Sequence, residues 1–456
     1  MQKKIYSSII ETIGDTPLIE LNKVTRGIQA RVLAKVEYFN PGGSVKDRIA
    51  RSIIDAAEKD GSLKPGGMIV EATSGNTGAG LALIAAVRGY KAIFTMPDKM
   101  SSEKVRLLKA YGADVIVCPT HVPADSPESY YEVAKKLVRD NPNAILANQY
   151  FNPDNPIAHY HTTGPEIWEQ TGGNIDYFVA GMGTGGTISG TAKYLKEKNP
   201  NIKVVGADPV GSILKEYFYT KKLIEARPYK VEGVGEDIIP GTMDFSVIDE
   251  VIDIDDKECF LTARRLASEE GLLVGGSCGL AAAVALRVAR DLPADKTVVV
   301  LLPDTGERYL SKFYNDEWMR ENRFLEIERV TIGEVLKIKD SRLPQLISLA
   351  QDAPVTKALE LMKEHNISQM PIFDGERPVG GLEESSVMAK ILEDQSLLGG
   401  AVRDIMDEAF PVLNPNDTIE QAKQLFARKV PAILVEQNGT VIGLITKSDI
   451  ISFIVT

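Results

Sequence analysis

From about residue 30 to 305, short runs of β-branched and apolar residues alternate with stretches of helical periodicity. The runs MIVEA (68–72), AIFTM (92–96), VIVC (115–118), YFVA (177–180), VVGA (204–207) and TVVVLLP (297–303) predict buried strands. Amphipathic stretches such as TGAGLALIAAVRGY (77–90) and SSEKVRLLKAYGA (101–113) predict the helices between them. Alternation of this kind implies an α/β fold, with parallel sheets covered by helices on both faces. Ligands in such folds sit at the carboxyl ends of strands, where Gly-rich turns lead into helices.

The alternation stops after Trp318, and RENRFLEIERV (320–330) is charged and reads as a linker. Beyond it, VTKALELMKEHNISQMPIFDGERPVGGLEESSVMAKIL (355–392) parallels DTIEQAKQLFARKVPAILVEQNGTVIGLITKSDIISFI (417–454). Each copy reads helix, strand, turn, strand, helix, and the second lacks about one helical turn before Pro431. The expected division is residues 1–322, a linker over 323–330, and an α/β domain over 331–456 with halves at about 331–396 and 397–456.

Composition narrows the function. The 456 residues are 44% apolar and 25% charged, an ordinary globular balance. A net charge of -11 argues against nucleic acid and against an anionic membrane surface. No apolar run reaches membrane-span length and the start, MQKKIYSS, has no signal-peptide core, so a cytoplasmic location is expected. Cys118, Cys259 and Cys278 are too few and too far apart for a disulfide framework or a zinc site. His159 and His161, two apart on a helix, point to different sides, so no metal is expected.

Four segments carry candidate chemistry. In NPGGSVKDRIA (40–50), Gly42 and Gly43 permit a tight turn, Ser44 can cap a helix, and Lys46 sits in its first turn; alone, Lys46 is a solvated lysine. In EATSGNTGAG (71–80), Thr73, Ser74, Asn76 and Thr77 cluster polar groups where a helix begins, which suits a carboxylate; the bland alternative is a well-capped turn. AGMGTGGTISG (180–190) follows a strand and opens a helix. Its Gly181, Gly183 and Gly186 fit a dinucleotide fingerprint, and Asp208 stands where a ribose-binding acid is expected, so an NAD(P)-dependent dehydrogenase is a competing reading. The same glycines and threonines also suit a single phosphate. In LLVGGSCGL (272–280), Ser277 is either a neutral hydrogen-bond donor or a plain helix cap.

Taken in this order, the four segments resemble the cystathionine β-synthase and cysteine synthase family of fold-type II pyridoxal-phosphate (PLP) enzymes, over essentially all of residues 5–320. The resemblance implies two parallel-sheet subdomains and PLP as cofactor. It implies that Lys46 carries PLP as a Schiff base and then removes the Cα proton. By the same resemblance Asn76 meets the PLP phenolic oxygen, Gly183, Thr184, Gly185, Gly186 and Thr187 hold the phosphate, and Ser277 meets the pyridine nitrogen. Thr73, Ser74, Thr77 and Gln149 are then the partners of the substrate carboxylate. The implied reaction is β-replacement on a serine-type amino acid, through an aminoacrylate to which a thiol adds.

The choice of thiol rests on finer likeness. VEGVGEDIIP (231–240), Tyr150 and VPADSPESYYEVAKKLV (122–138) resemble cystathionine β-synthases, whereas Glu307-Arg308 in DTGERYLSKF (304–313) looks like cysteine synthase. The expectation is cystathionine from serine or O-acetylserine and homocysteine, with hydrogen sulfide production as a side reaction and cysteine synthesis from sulfide as the alternative. Gly235, Glu236 and Asp237 are expected on a loop closing over the site, with either acid receiving the homocysteine ammonium. Animal relatives hold a haem with Cys and His on an N-terminal extension; neither residue precedes Cys118, so no haem is expected. The tail resembles a pair of CBS motifs, a regulatory Bateman module. In the second copy Thr446 and Asp449 match its ribose clamp, whereas the first has Glu383 and Ser386 there, so one strong site per chain is expected. S-adenosylmethionine is the expected ligand, AMP or ATP the alternative. The family implies a homodimer or homotetramer.

Overall fold

The computed structural model describes residues 5–73, 75–98, 102–119, 121–123, 125–325, 330–338 and 346–455. The chain divides into two compact units, Met1–Glu326 and Ile327–Thr456. The first begins with β1 (Leu18–Glu20), β2 (Arg31–Val36), α1 (Lys46–Asp60), β3 (Met68–Ala72), α2 (Asn76–Arg88), β4 (Lys91–Pro97) and α3 (Ser102–Ala110). It continues through β5 (Asp114–Cys118), α4 (Tyr130–Asp140), β6 (Ala144–Leu146), α5 (Asp154–His161), α6 (Thr163–Gln170), β7 (Tyr177–Gly181) and α7 (Gly186–Lys198). Last come β8 (Lys203–Pro209), α8 (Leu214–Thr220), β9 (Glu250–Ile254), α9 (Asp256–Glu270), α10 (Gly276–Arg290), β10 (Thr297–Leu302) and α11 (Asp316–Glu321). Every run that the apolar pattern marked as a strand is one.

These strands build two sheets. One has the order β1-β2-β10-β7-β8-β9 and is parallel except for β1 against β2. The other, β5-β4-β3-β6, is parallel throughout. Parallel neighbours need crossovers, and the helices that make them bury both sheet faces. Strand β10 shows the consequence: Val298, Val300 and Leu302 pack with Ala281, Ala282 and Ala285 of α10, while Val299 and Leu301 pack with Ile188, Ala192 and Leu195 of α7. The smaller sheet has its own core, in which Ile69, Phe94 and Met96 meet Ile53 and Ile54 of α1 and Leu81 and Ile84 of α2. At the end of this unit the Phe324 ring lies 5.3 Å from that of Phe260, so core packing continues two residues past 322.

The second unit contains α12 (Ile332–Ile338), β11 (Leu349–Ala350), α13 (Val355–His365), β12 (Gln369–Asp374), β13 (Arg377–Glu383) and α14 (Glu384–Glu393). After these come β14 (Val412–Leu413), α15 (Ile419–Ala427), β15 (Ala432–Gln437), β16 (Thr440–Thr446) and α16 (Lys447–Val455). Two matching three-stranded sheets result, β11-β12-β13 and β14-β15-β16. The shortfall in the second copy is real: α15 has 9 residues where α13 has 11. A simple cut between the halves at 396/397 does not follow the packing. Ile332, Val335 and Leu336 of α12 pack with Ile433 and Ile445 of the second copy, whereas Val402 and Ile405 complete the core of the first. Among the described residues no helix is long and apolar enough to cross a membrane. The three cysteines are buried and form no disulfide.

Candidate active site

The carboxyl ends of β3, β7 and β10 approach a cavity of about 780 Å³ in the first unit. Its size is that of a small-molecule site. Lys46, the first residue of α1, borders it, and its backbone N–H donates to Ser44 Oγ at 3.2 Å. Among the described residues its amine has no hydrogen-bond partner. Burial lowers its pKa below the usual lysine range, against the opposing pull of Asp304 and Glu236. Such an amine is held toward its neutral, nucleophilic form.

Thr73, Asn76 and Thr77 border the same cavity where α2 begins. The helix cap is Gly75, and its N–H donates to Thr73 Oγ1 at 3.3 Å, so Thr73 both borders the cavity and closes the turn. Thr77 Oγ1 donates to Gln149 Oε1 at 2.6 Å, which ties two of the expected carboxylate partners together. Asn76 Nδ2 donates to Asp304 Oδ2 at 2.9 Å. Ser74 lies outside the described residues.

The loop between β7 and α7 carries the third segment. Gly185 has φ +88°, and a Cβ on Gly186 would lie 1.9 Å from Asn155 Oδ1, so both positions require glycine. Thr184 borders the cavity; Gly183, Gly185, Gly186 and Thr187 share its loop and helix start without bordering it. Thr187 Oγ1 instead meets His159 Nε2 at 3.2 Å, and His159 Nδ1 meets Thr163 Oγ1 at 2.9 Å. Burial holds His159 neutral, well below the usual histidine range. Asp208, the acid required for a dinucleotide ribose, is fully buried, and its Oδ2 accepts the Lys215 N–H at 2.9 Å. It faces α8 and does not border the cavity, which removes the dehydrogenase reading.

Ser277 borders the cavity in the first turn of α10, whose cap is Gly275 with no side-chain bond. It is therefore no helix cap. Tyr150, Gly235, Glu236 and Asp237 also border the cavity. Burial pushes the Glu236 carboxyl up to about 8, with Asp237 adding to the shift and Lys46 opposing it.

Several residues of this region were missed in the sequence. Asp304 is buried just past β10 and takes a second bond at Oδ2, from Tyr309 Oη at 2.9 Å. Its position after a central strand was the available signal. Glu71 was visible as an acid within an apolar strand. Asn155 donates both to the Gln149 carbonyl at 2.7 Å and to Thr184 Oγ1 at 3.1 Å, joining two walls of the site. Glu232 bonds Lys104 at 2.5 Å and also pairs with Lys312 at the cavity lining. Nothing in the local pattern marks that triad.

In the tail, Asp449 Oδ2 accepts from the Thr446 N–H at 2.7 Å and from its Oγ1 at 2.8 Å, as in a helix capping box. At the matching place in the first copy, Ser386 Oγ donates to Asp407 Oδ2 at 2.7 Å and Lys390 Nζ to Asp407 Oδ1 at 2.7 Å. Among the described residues no cluster of metal ligands occurs.

The residues present fit PLP: a buried lysine with a lowered pKa at a cavity of the right volume, a serine that caps no helix, and a glycine loop at a helix start. Two parallel sheets whose strand ends converge on that lysine define a PLP-dependent enzyme of fold-type II. The family model for pyridoxal-phosphate dependent enzymes matches residues 9–304, and CBS domain models match 338–393 and 402–456. The cystathionine beta-synthase of Dictyostelium discoideum is 40% identical over 99% of this chain and 93% of its own length. That of Apis mellifera is 42% identical over 99% and 91%, and that of Saccharomyces cerevisiae 42% over 84% and 81%. Among solved structures, a hydrogen sulfide-producing enzyme from Fusobacterium nucleatum superposes with a TM-score of 0.63 at 38% identity, covering 67% of this chain and 99% of its own. Cysteine synthase from Entamoeba histolytica gives 0.63 at 40% identity, covering 68% and 91%. The chain belongs to the cystathionine β-synthase family.

Proposed function

We propose that this chain makes L-cystathionine from L-serine, or O-acetylserine, and L-homocysteine by β-replacement in the cavity at Lys46. PLP, when bound, supplies an electron sink for charge at the substrate Cα. Lys46 holds the cofactor through its amine and then moves the Cα proton, and both tasks need the neutral amine that burial favours. Thr184, with Gly183, Gly185, Gly186 and Thr187 at the start of α7, receives the phosphate. Asn76 faces the phenolic oxygen, and the neutral Ser277 hydroxyl leaves the pyridine nitrogen unprotonated. Thr73, Ser74, Thr77 and Gln149 hold the serine carboxylate. The serine hydroxyl leaves Cβ and the homocysteine sulfur replaces it, giving cystathionine and water. No step calls for haem. The working form in this reading is a cytoplasmic homodimer or homotetramer.

The single observation favouring homocysteine is the Glu236–Asp237 pair on the cavity lining beside Tyr150 and Gly235. Acidic side chains at this lining attract the homocysteine ammonium and disfavour hydrosulfide, and Glu236, raised to about 8, ionises as an ammonium approaches it. Glu236→Gln and Asp237→Asn are the test, read as the homocysteine KM. The expected rise corresponds to ~2–4 kcal/mol for whichever acid pairs with the ammonium. An unchanged KM in both variants contradicts the assignment.

For the tail we propose one adenosyl-ligand site per chain, in the second copy, with Thr446 and Asp449 on the ribose. S-adenosylmethionine is preferred over AMP or ATP because it reports the supply of homocysteine's parent. Support comes from the Thr446–Asp449 pair itself, whereas in the first copy Ser386 stands at the aspartate position and donates to Asp407.

A further inference from the structure

Gln149 reaches the cavity from a turn that the chain makes on leaving β6. The Ala147 N–H still donates to Val70 O at 3.0 Å, in register with β3. Asn148 then takes φ +53°, in the left-handed region, and its carbonyl accepts the Phe151 and Asn152 N–H groups at 3.0 and 2.9 Å. That tight reversal points the N–H groups of Asn148 and Gln149 back toward β3. They land on one side chain. Glu71 Oε2 accepts from Asn148 N at 2.6 Å and Oε1 from Gln149 N at 3.2 Å.

Glu71 is 3% exposed and does not border the cavity, so it touches neither substrate nor cofactor. A buried carboxylate is costly unless its oxygens are satisfied. Here each oxygen takes one N–H of the turn, an arrangement that a glutamine amide, with a single acceptor oxygen, cannot copy. Burial nonetheless pushes its pKa up to about 7, with the two N–H bonds opposing the rise. The strand that carries Glu71 runs directly into Thr73 and Thr77, and Thr77 bonds the Gln149 amide at 2.6 Å. One buried acid therefore fixes the turn of Gln149 against the loop of Thr73 and Thr77.

We infer that Glu71 is a positioning residue for the first substrate: its carboxyl sets the Asn148–Gln149 turn so that the Gln149 amide, its oxygen held by Thr77, presents its N–H groups to the amino-acid carboxylate. This rests on the proposed role of Gln149. Glu71→Gln keeps the shape but opposes an N–H of the turn with an N–H of the new amide.

The test measures the serine KM, kcat, cofactor absorbance and Tm of the full chain for Glu71→Gln, Gln149→Ala and the double variant. The expected result is a serine KM raised roughly tenfold or more in Glu71→Gln, since a charge-assisted bond is lost. The kcat stays within about threefold, the absorbance band is unchanged, and adding Glu71→Gln to Gln149→Ala raises KM no further. An unchanged serine KM in Glu71→Gln overturns the inference alone. So does an equal KM effect in both backgrounds, which would mark a merely structural role. If Gln149→Ala itself leaves the serine KM unchanged, the role of Gln149 fails and the inference falls with it. Should Glu71→Gln not fold, Glu71→Asp, which keeps the charge one methylene short, carries the same comparison against Gln149→Ala.

Discussion

Asn76 Nδ2 donates to Asp304 Oδ2 at 2.9 Å, and Tyr309 Oη donates to the same oxygen at 2.9 Å. The carboxyl thereby fixes which end of the Asn76 amide faces it and leaves the second N–H of Nδ2 for the cavity. Asp304→Asn removes a charged acceptor from a fully buried position. The expected outcome is PLP affinity weakened by about 1.5–3 kcal/mol, read by absorbance titration of the cofactor-free protein. An unaltered dissociation constant would mean that Asp304 does not orient Asn76 toward the cofactor.

Asp208 gives a prediction about stability. Burial raises its pKa from 3.8 to about 7, although it accepts the Lys215 N–H. The folded chain then binds a proton that the unfolded chain has released, so this group loses the protein stability as pH rises from 3.8 to about 7. A shift of this size is worth about 4 kcal/mol at most. Asp208→Asn lacks that loss but leaves one amide N–H unpartnered, at about 1–3 kcal/mol. Urea unfolding at pH 5 and pH 8 should show the variant gaining on the wild type by ~1–4 kcal/mol at the higher pH. A gain at the lower pH would reverse the sign and contradict it.

The tail prediction concerns Asp449. Asp449→Ala removes the carboxylate that would accept two ribose hydroxyls and should weaken S-adenosylmethionine binding by ~2–4 kcal/mol. Calorimetry on the full chain tests this, with AMP and ATP as comparison ligands. Since Asp449 also caps α16 through Thr446, Asp449→Asn serves as the milder variant. Binding unaffected by both variants, or no heat with any of the three compounds, would leave the tail without this site.

The buried strands and the repeated tail could be read from the sequence because apolar period and β-branching are local signals, strong in fully buried parallel strands such as TVVVLL, whereas the division into two sheets came only with the family resemblance. The Gly-rich segments around Lys46, Asn76 and Ser277 stood out locally as turns before helices, but the roles of these three residues came only from the family resemblance. Asp304, Asn155 and Glu71 were not singled out. Their meaning lies in partners far along the chain, as Asp304 with Asn76 across 228 positions, and no local pattern encodes that pairing. The fingerprint at Gly181, Gly183 and Gly186 misled for the same reason: only the burial of Asp208 against α8 decides against a ribose. The exchange of α12 into the second half of the tail was likewise invisible, since an apolar helix face does not name its partner.

The central claim is β-replacement at Lys46 with homocysteine as the thiol, and product analysis tests it most directly. Purified protein is given serine or O-acetylserine together with equimolar homocysteine and sulfide, and the products are separated and quantified. The account predicts a yellow protein that forms cystathionine in excess over cysteine, and a Lys46→Ala variant that forms neither. Cysteine as the dominant product, or cystathionine formed at the wild-type rate without Lys46, would contradict it.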